Sequence, residues 1–148
     1  MKIAHTIISD HIYRGKISGH INSVTRLIYG AKFFNDKACF DKLVNICAAD
    51  INPRNLDAIV AVNTRDSKYN LPARLAKEVA KRLNIRFMDS IYQKNTRCKP
   101  NVKGLKVLIL DDVLYTGATM NKSMKAVNAQ SPASISFFAI ARSKSFKI

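Results

Sequence analysis

Residues 107–120 read VLILDDVLYTGATM, and this stretch decides the fold. Val107-Leu108-Ile109-Leu110 is a short run of branched apolar residues, the composition of a strand buried on both faces. Two acids follow, Asp111 and Asp112. Val113-Leu114-Tyr115 then leads into Thr116-Gly117-Ala118-Thr119, a turn that opens a helix. Adjacent carboxylates at a strand end repel each other and are poor choices for stability alone. They make sense where a polyhydroxyl ligand or a cation shares the site. The turn offers free backbone N–H groups, a glycine without a side chain and two hydroxyls, which together form a cradle for a phosphate. An Asp-rich turn with a threonine cap would account for Thr119 or for one acid, but not for the ensemble.

Working outward, the pattern on both sides is that of alternating strands and helices. Asp57-Ala58-Ile59-Val60-Ala61-Val62 is a second buried-strand run. A polar turn from Asn63 to Lys68 leads into a helix from about Leu71 to Leu83, with Pro72 in the first turn, where a missing N–H costs little. Ile85 to Met88 reads as a strand, Ser90 to Gly104 as a long basic loop, and Leu105 to Leu110 as the strand before the acids. A helix to about Ala129 and the apolar strand Ile135 to Ala141 complete the series. Such alternation predicts an α/β protein with a mostly parallel twisted sheet flanked by helices. Upstream, Ile21, Val24, Leu27, Ile28 and Ala31 recur at helical spacing. Asn35 or Asp36 is placed to cap a second helix through Cys47, and Asn52-Pro53-Arg54-Asn55 breaks the chain. The expected organisation is one domain over 1–148, with a helical N-terminal region (1–50) and an α/β core (57–142).

At 148 residues the chain is long enough for one well-buried core, and 47% hydrophobic with 24% charged residues excludes a disordered composition. No apolar run approaches the roughly 18 residues of a membrane span. The first residues do not read as a signal peptide, so the expected location is the cytoplasm. Cys39, Cys47 and Cys98 form no CxxC pair, and His5, His11 and His20 lack ligand spacing; both sets read as structural or surface residues. The net charge of +15 is uneven: residues 1–56 carry +4 and residues 57–148 carry +11. A surface of this kind attracts polyanions, whether nucleotide, pyrophosphate or nucleic acid, although the same charge also serves solubility.

The run at 107–120 resembles the phosphoribosyl pyrophosphate signature of type I phosphoribosyltransferases: an apolar strand, two acids, then a Thr-Gly-x-Thr loop. Val60-Ala61-Val62, the Lys68-Tyr69-Asn70 segment ahead of LPARLAKEVAKRL, and Ile28 to Phe33 with Lys32 near its end are similar to the ComF-like branch. The sequence departs from that branch in lacking its N-terminal zinc-binding cysteine module and in carrying Leu71 after the aromatic-Asn pair. Tyr115 stands where members acting on 6-oxopurines carry an aspartate base.

The resemblance implies the type I phosphoribosyltransferase fold and transfer of ribosyl 5-phosphate from phosphoribosyl pyrophosphate to a nucleobase-like acceptor, with release of pyrophosphate. By the same resemblance Asp111 and Asp112 hold the ribose hydroxyls, directly or through Mg²⁺, and Tyr115, Thr116, Gly117, Ala118 and Thr119 wrap the 5′-phosphate. The turn Asn63-Thr64-Arg65-Asp66 meets the pyrophosphate, and Lys94 and Arg97, in the basic loop, face the site and join the acids in catalysis. The acceptor would be chosen by a hood within residues 1–50. A homodimer is expected. The alternative is a ComF-like accessory protein that binds phosphoribosyl pyrophosphate and serves DNA uptake or nucleic-acid binding without salvage activity; fold alone does not decide between them.

Overall fold

A computed structural model describes residues 3–13, 23–62, 70–88 and 101–143. In chain order the elements are β1 (Ile3–Tyr13), α1 (Ser23–Phe33), α2 (Lys37–Asp50), a short 3₁₀ turn (Pro53–Asn55), β2 (Ala58–Ala61), α3 (Leu71–Leu83), β3 (Arg86–Phe87), β4 (Lys106–Leu114), α4 (Ala118–Asn128) and β5 (Ser134–Ser143). The five strands form one sheet in the order β1-β5-β4-β2-β3, and every pairing is parallel.

The continuous apolar runs in β2, β4 and β5 follow from having helices on both faces. Ile59, Leu108, Leu110, Phe138 and Ile140 pack on one side, with Ile28 and Ala31 of α1, Leu43 and Cys47 of α2, and Leu75 and Val79 of α3. Their neighbours Val60, Val107, Ile109, Phe137 and Ala139 pack on the other, with Val127, Met120 and Met124 of α4. Successive strand residues face opposite ways, so a strand covered on both sides must be apolar at every position.

The helix ends follow from their capping residues. Asp36 caps α2, its carboxylate accepting from the Cys39 N–H at 3.0 Å. Asn70 caps α3 by accepting from the Ala73 N–H at 3.1 Å, with Pro72 in the first turn. Asn84 ends α3 in the left-handed region at φ 56°, a conformation Asn tolerates better than most residues. Arg74 of α3 donates to Asn35 Oδ1 at 3.2 Å and lies over the Phe40 ring at 4.9 Å. It thereby ties α3 to the junction of α1 and α2.

The topology places a switch point between β4 and β2. From β2 the chain runs through α3 to β3 on one side, and from β4 through α4 to β5 on the other. α3 packs on one face of the sheet and α4 on the opposite face. A crevice beyond the carboxyl ends of the strands at such a point is where open α/β sheets bind ligands.

Two expectations need correction. Residues 1–50 are not wholly helical: Ile3–Tyr13 is a strand, paired in parallel with β5 at the sheet edge. Its register shifts between Ile3 and Thr6 and again between Ile8 and His11, and a strand interrupted twice does not show the regular alternation by which strands are read. The second correction is to β4, which continues past Leu110 to Leu114 and so includes both acids instead of ending before them. Pairing with β2 stops at Leu110, whose carbonyl accepts from the Val62 N–H at 3.0 Å. Pairing with β5 goes on, Asp111 lying opposite Ala139 and Leu114 opposite Arg142.

The angle at which α1 meets α2 rests on Gly30. A Cβ there would lie 2.5 Å from Cys39 Sγ and 3.1 Å from Cys39 Cβ. Gly30→Ala should therefore lose stability overall: overpacking costs about 1–3 kcal/mol against about 1 kcal/mol gained in helix propensity. Urea unfolding should show this loss, with partial recovery when Cys39→Ala is added. An equal loss in both backgrounds would place the strain elsewhere.

Candidate active site

The carboxyl end of β4 and the start of α4 build the site. β4 carries Asp111 and Asp112 into the protein, where they are only 6% and 5% exposed. Each carboxylate turns back on its own strand: Asp111 Oδ1 accepts from the Asp112 N–H at 2.8 Å, and Asp112 Oδ1 from the Val113 N–H at 2.7 Å. These bonds tie both side chains to the backbone of β4.

The acids are approached from different directions. Asp111 lines a pocket of about 50 Å³ together with Val113, Leu114 and the turn from Tyr115 to Met120. Asp112 meets Lys32 from the last turn of α1, with Nζ 3.6 Å from Oδ2. That separation is an ion pair without a hydrogen bond, and Asp112 Oδ2 is buried with no hydrogen-bond partner among the described residues. An acceptor in this state is costly unless a ligand completes it. Burial first, and the adjacent Asp112 second, push the Asp111 carboxyl well above the usual carboxylate range.

The turn before α4 has the form of an anion cradle. Gly117 is the N-terminal cap residue at φ 85° and ψ −1°, a left-handed conformation in which a side chain is strained. Gly117 has no side chain with which to cap α4 and the first turn holds no acid, so apart from the Ala118 N–H, which Thr116 takes, the positive end of the helix suits an anion. Thr116 Oγ1 accepts from the Ala118 N–H at 3.3 Å, and the Tyr115 carbonyl accepts from Ser143 Oγ at 3.1 Å, anchoring the turn to the end of β5. Tyr115 itself is 50% exposed.

Asp111, Tyr115, Thr116, Gly117, Ala118 and Thr119, all read from the sequence, thus surround one pocket, while Asp112 lies beside it in the strand, facing Lys32. Asn63, Thr64, Arg65, Asp66, Lys94 and Arg97 lie outside the described residues. The ion pair from Lys32 was not foreseen. Nothing in local spacing connects the end of α1 to β4, and only the packing of α1 on the sheet does. Among the described residues no group of three or more His, Cys, Asp or Glu side chains comes together to hold a metal. Cys47 is buried and burial raises its thiol to about 12, as befits a core residue.

The raised Asp111 carboxyl has a sign that can be measured. The folded protein holds this proton at pH values where the unfolded chain has released it. The stability it contributes is full below the unfolded value near 4 and is lost as pH rises through the folded value. Asp111→Asn should flatten that decline, removing up to about 1.4 kcal/mol of stability change per pH unit across the window. Thermal unfolding of both proteins from pH 4 upward measures it; parallel curves would contradict the argument.

Comparison with known proteins agrees with this geometry. Residues 84–146 match the model of the phosphoribosyl transferase domain, a span that contains β3, β4, α4 and β5. No curated protein sequence matches the chain. Among solved structures, the chain is similar to a purine phosphoribosyltransferase from Pyrococcus horikoshii at 16% identity and TM-score 0.53, covering 74% of this chain and 85% of that one. It is similar to an adenine phosphoribosyltransferase from Thermoanaerobacter pseudethanolicus at 18% identity and TM-score 0.54, covering 74% and 83%. It is also similar to a UMP synthase from Leishmania donovani at 16% identity and TM-score 0.59, covering 89% of this chain and 28% of that one. A five-stranded parallel sheet whose β4–turn–α4 unit matches that domain, set among these neighbours, has the type I phosphoribosyltransferase fold.

Proposed function

We propose that the protein is a phosphoribosyltransferase that moves ribosyl 5-phosphate from phosphoribosyl pyrophosphate to a nucleobase-like acceptor and releases pyrophosphate. The observation that carries this reading is the junction of two unlike features in one place. A buried acid pair, with one oxygen lacking a hydrogen-bond partner among the described residues, lies one short turn ahead of a helix N-terminus whose cap residue is a glycine. The first suits ribose hydroxyls or a cation, the second suits a phosphate, and a ribose 5-phosphate carries both groups in one molecule.

In this reading the backbone N–H groups after Gly117, with the Thr116 and Thr119 hydroxyls, hold the 5′-phosphate, and Asp111 and Asp112 hold the ribose. Positive charge develops at the anomeric carbon as pyrophosphate leaves, and the acids hold the ribose hydroxyls while the phosphate grip fixes the sugar's orientation. Asp112 Oδ2, a hard oxygen with no hydrogen-bond partner among the described residues, would hold Mg²⁺ once Lys32 moved away, with substrate and water in the remaining positions. When bound it supplies charge neutralisation for the pyrophosphate. Asn63, Thr64, Arg65 and Asp66 would receive the pyrophosphate, and Lys94 and Arg97 would close over it. A cytoplasmic homodimer goes with this reading; among the described residues no helix is long and apolar enough to cross a membrane.

The excess of basic charge in residues 57–148 favours one second reading, a ComF-like accessory that binds phosphoribosyl pyrophosphate and nucleic acid without turnover. Binding of phosphoribosyl pyrophosphate with no pyrophosphate release across a panel of nucleobases would favour it.

Calorimetry with phosphoribosyl pyrophosphate and Mg²⁺ tests the reading. Binding should be measurable in the wild-type protein and weakened at least about tenfold in Asp111→Asn/Asp112→Asn, the loss expected for hydrogen bonds to charged groups. The double variant should stay folded, with thermal stability held or raised by the removal of like charges. Unchanged affinity would sink the assignment of the acids. Gly117→Val tests the cradle separately. It should abolish binding of ribose 5-phosphate alone, and a folded variant that still binds this ligand would place the phosphate elsewhere.

A further inference from the structure

We infer that Lys32 is the resident counter-ion of the acid pair, holding the position that a divalent cation neutralises when substrate is bound. The inference rests on the functional reading above, because it concerns the same acids. Its starting point is the mismatch at Asp112. Oδ1 is satisfied by the Val113 N–H, while Oδ2 is buried and without a hydrogen bond among the described residues. The Lys32 ammonium lies 3.6 Å away, close enough for charge and too far for a hydrogen bond.

The two partners are unequally held. The Asp112 side chain is 8% exposed and fixed by its strand, whereas the Lys32 side chain is 34% exposed at the end of α1. Lys32 also lies 5.9 Å from the centre of the exposed Phe33 ring, a second favourable place for its ammonium. The C-terminal end of a helix favours a cation, and the Asp111–Asp112 pair adds to that field. A long, partly exposed lysine can swing away, whereas the carboxylate cannot.

The consequence is an order of binding. With Lys32 in place, its ammonium would repel a bare divalent cation from the acids. An anionic ligand such as pyrophosphate would draw that ammonium off Asp112, leaving Oδ2 as the atom that could hold a cation. Lys32 is on this account a positioning residue that keeps free metal away from the acids until substrate arrives.

Binding of Mn²⁺ alone, followed by its paramagnetic resonance signal, tests this without turnover. Lys32→Ala should bind Mn²⁺ at least about tenfold more tightly than the wild type, and Lys32→Arg, which keeps the charge, should return to the wild-type affinity. A lysine that merely supports the fold would leave Mn²⁺ affinity unchanged or weaker when removed, and either result overturns the inference. Adding Asp112→Asn to Lys32→Ala should cancel the gain; a gain that persists would place the metal elsewhere and overturn it too. Phosphoribosyl pyrophosphate binding by the wild-type protein is measured alongside. Its absence would count against the functional reading, while the Mn²⁺ comparison still decides the role of Lys32.

Discussion

Two carboxylates buried at successive positions near the carboxyl end of a parallel strand are the constraint to which the rest of this structure answers. Removing a charged group from water costs several kcal/mol even after the protein relaxes, and an adjacent like charge adds to it. Asp111 shows the result directly, its carboxyl held well above the usual range by burial and by Asp112. A sequence selected for stability alone would place an aliphatic residue at these positions, as it does at the four positions before them, Val107 to Leu110.

The fold supplies the partial compensation that makes the arrangement tolerable. The described pairing of β4 with β2 ends at Leu110, just before the acids, and each carboxylate takes a backbone N–H of its own strand. Because β4 still pairs with β5, the strand does not fray there. α4 then begins at Gly117, presenting the positive end of its dipole next to the pocket that Asp111 lines. From the other side α1 delivers Lys32 to Asp112. Every one of these contributions comes from a different element, and the parallel sheet brings them to the same edge.

This arrangement also explains why α1 and α2 belong with the site although they precede the α/β core. Gly30 lets α2 approach α1 closely, and Arg74 pins the junction from α3. These contacts set where the end of α1 lies, and hence where Lys32 reaches. Overpacking at Gly30 would shift a charge beside the acids as well as weaken the core.

Much of the site was legible in the chain itself. The run VLILDDVLYTGATM announces a buried strand, an acid pair and a phosphate-binding turn through residue types in fixed local order. Asp36, Asn70 and Asn84 mark helix boundaries by their own chemistry, because capping and left-handed turns are decided within a few residues. What adjacent residues decide, sequence reveals. The strand Ile3–Tyr13 was not legible, since its two register shifts blur the alternation that identifies strands. Nor was the true end of β4, which depends on how far β5 continues beside it. The ion pair between Lys32 and Asp112, and the switch point that makes the end of β4 a crevice, arise only when distant segments pack on one sheet. Long-range pairing is set by the free energy of the whole core, and no short window of the chain contains it.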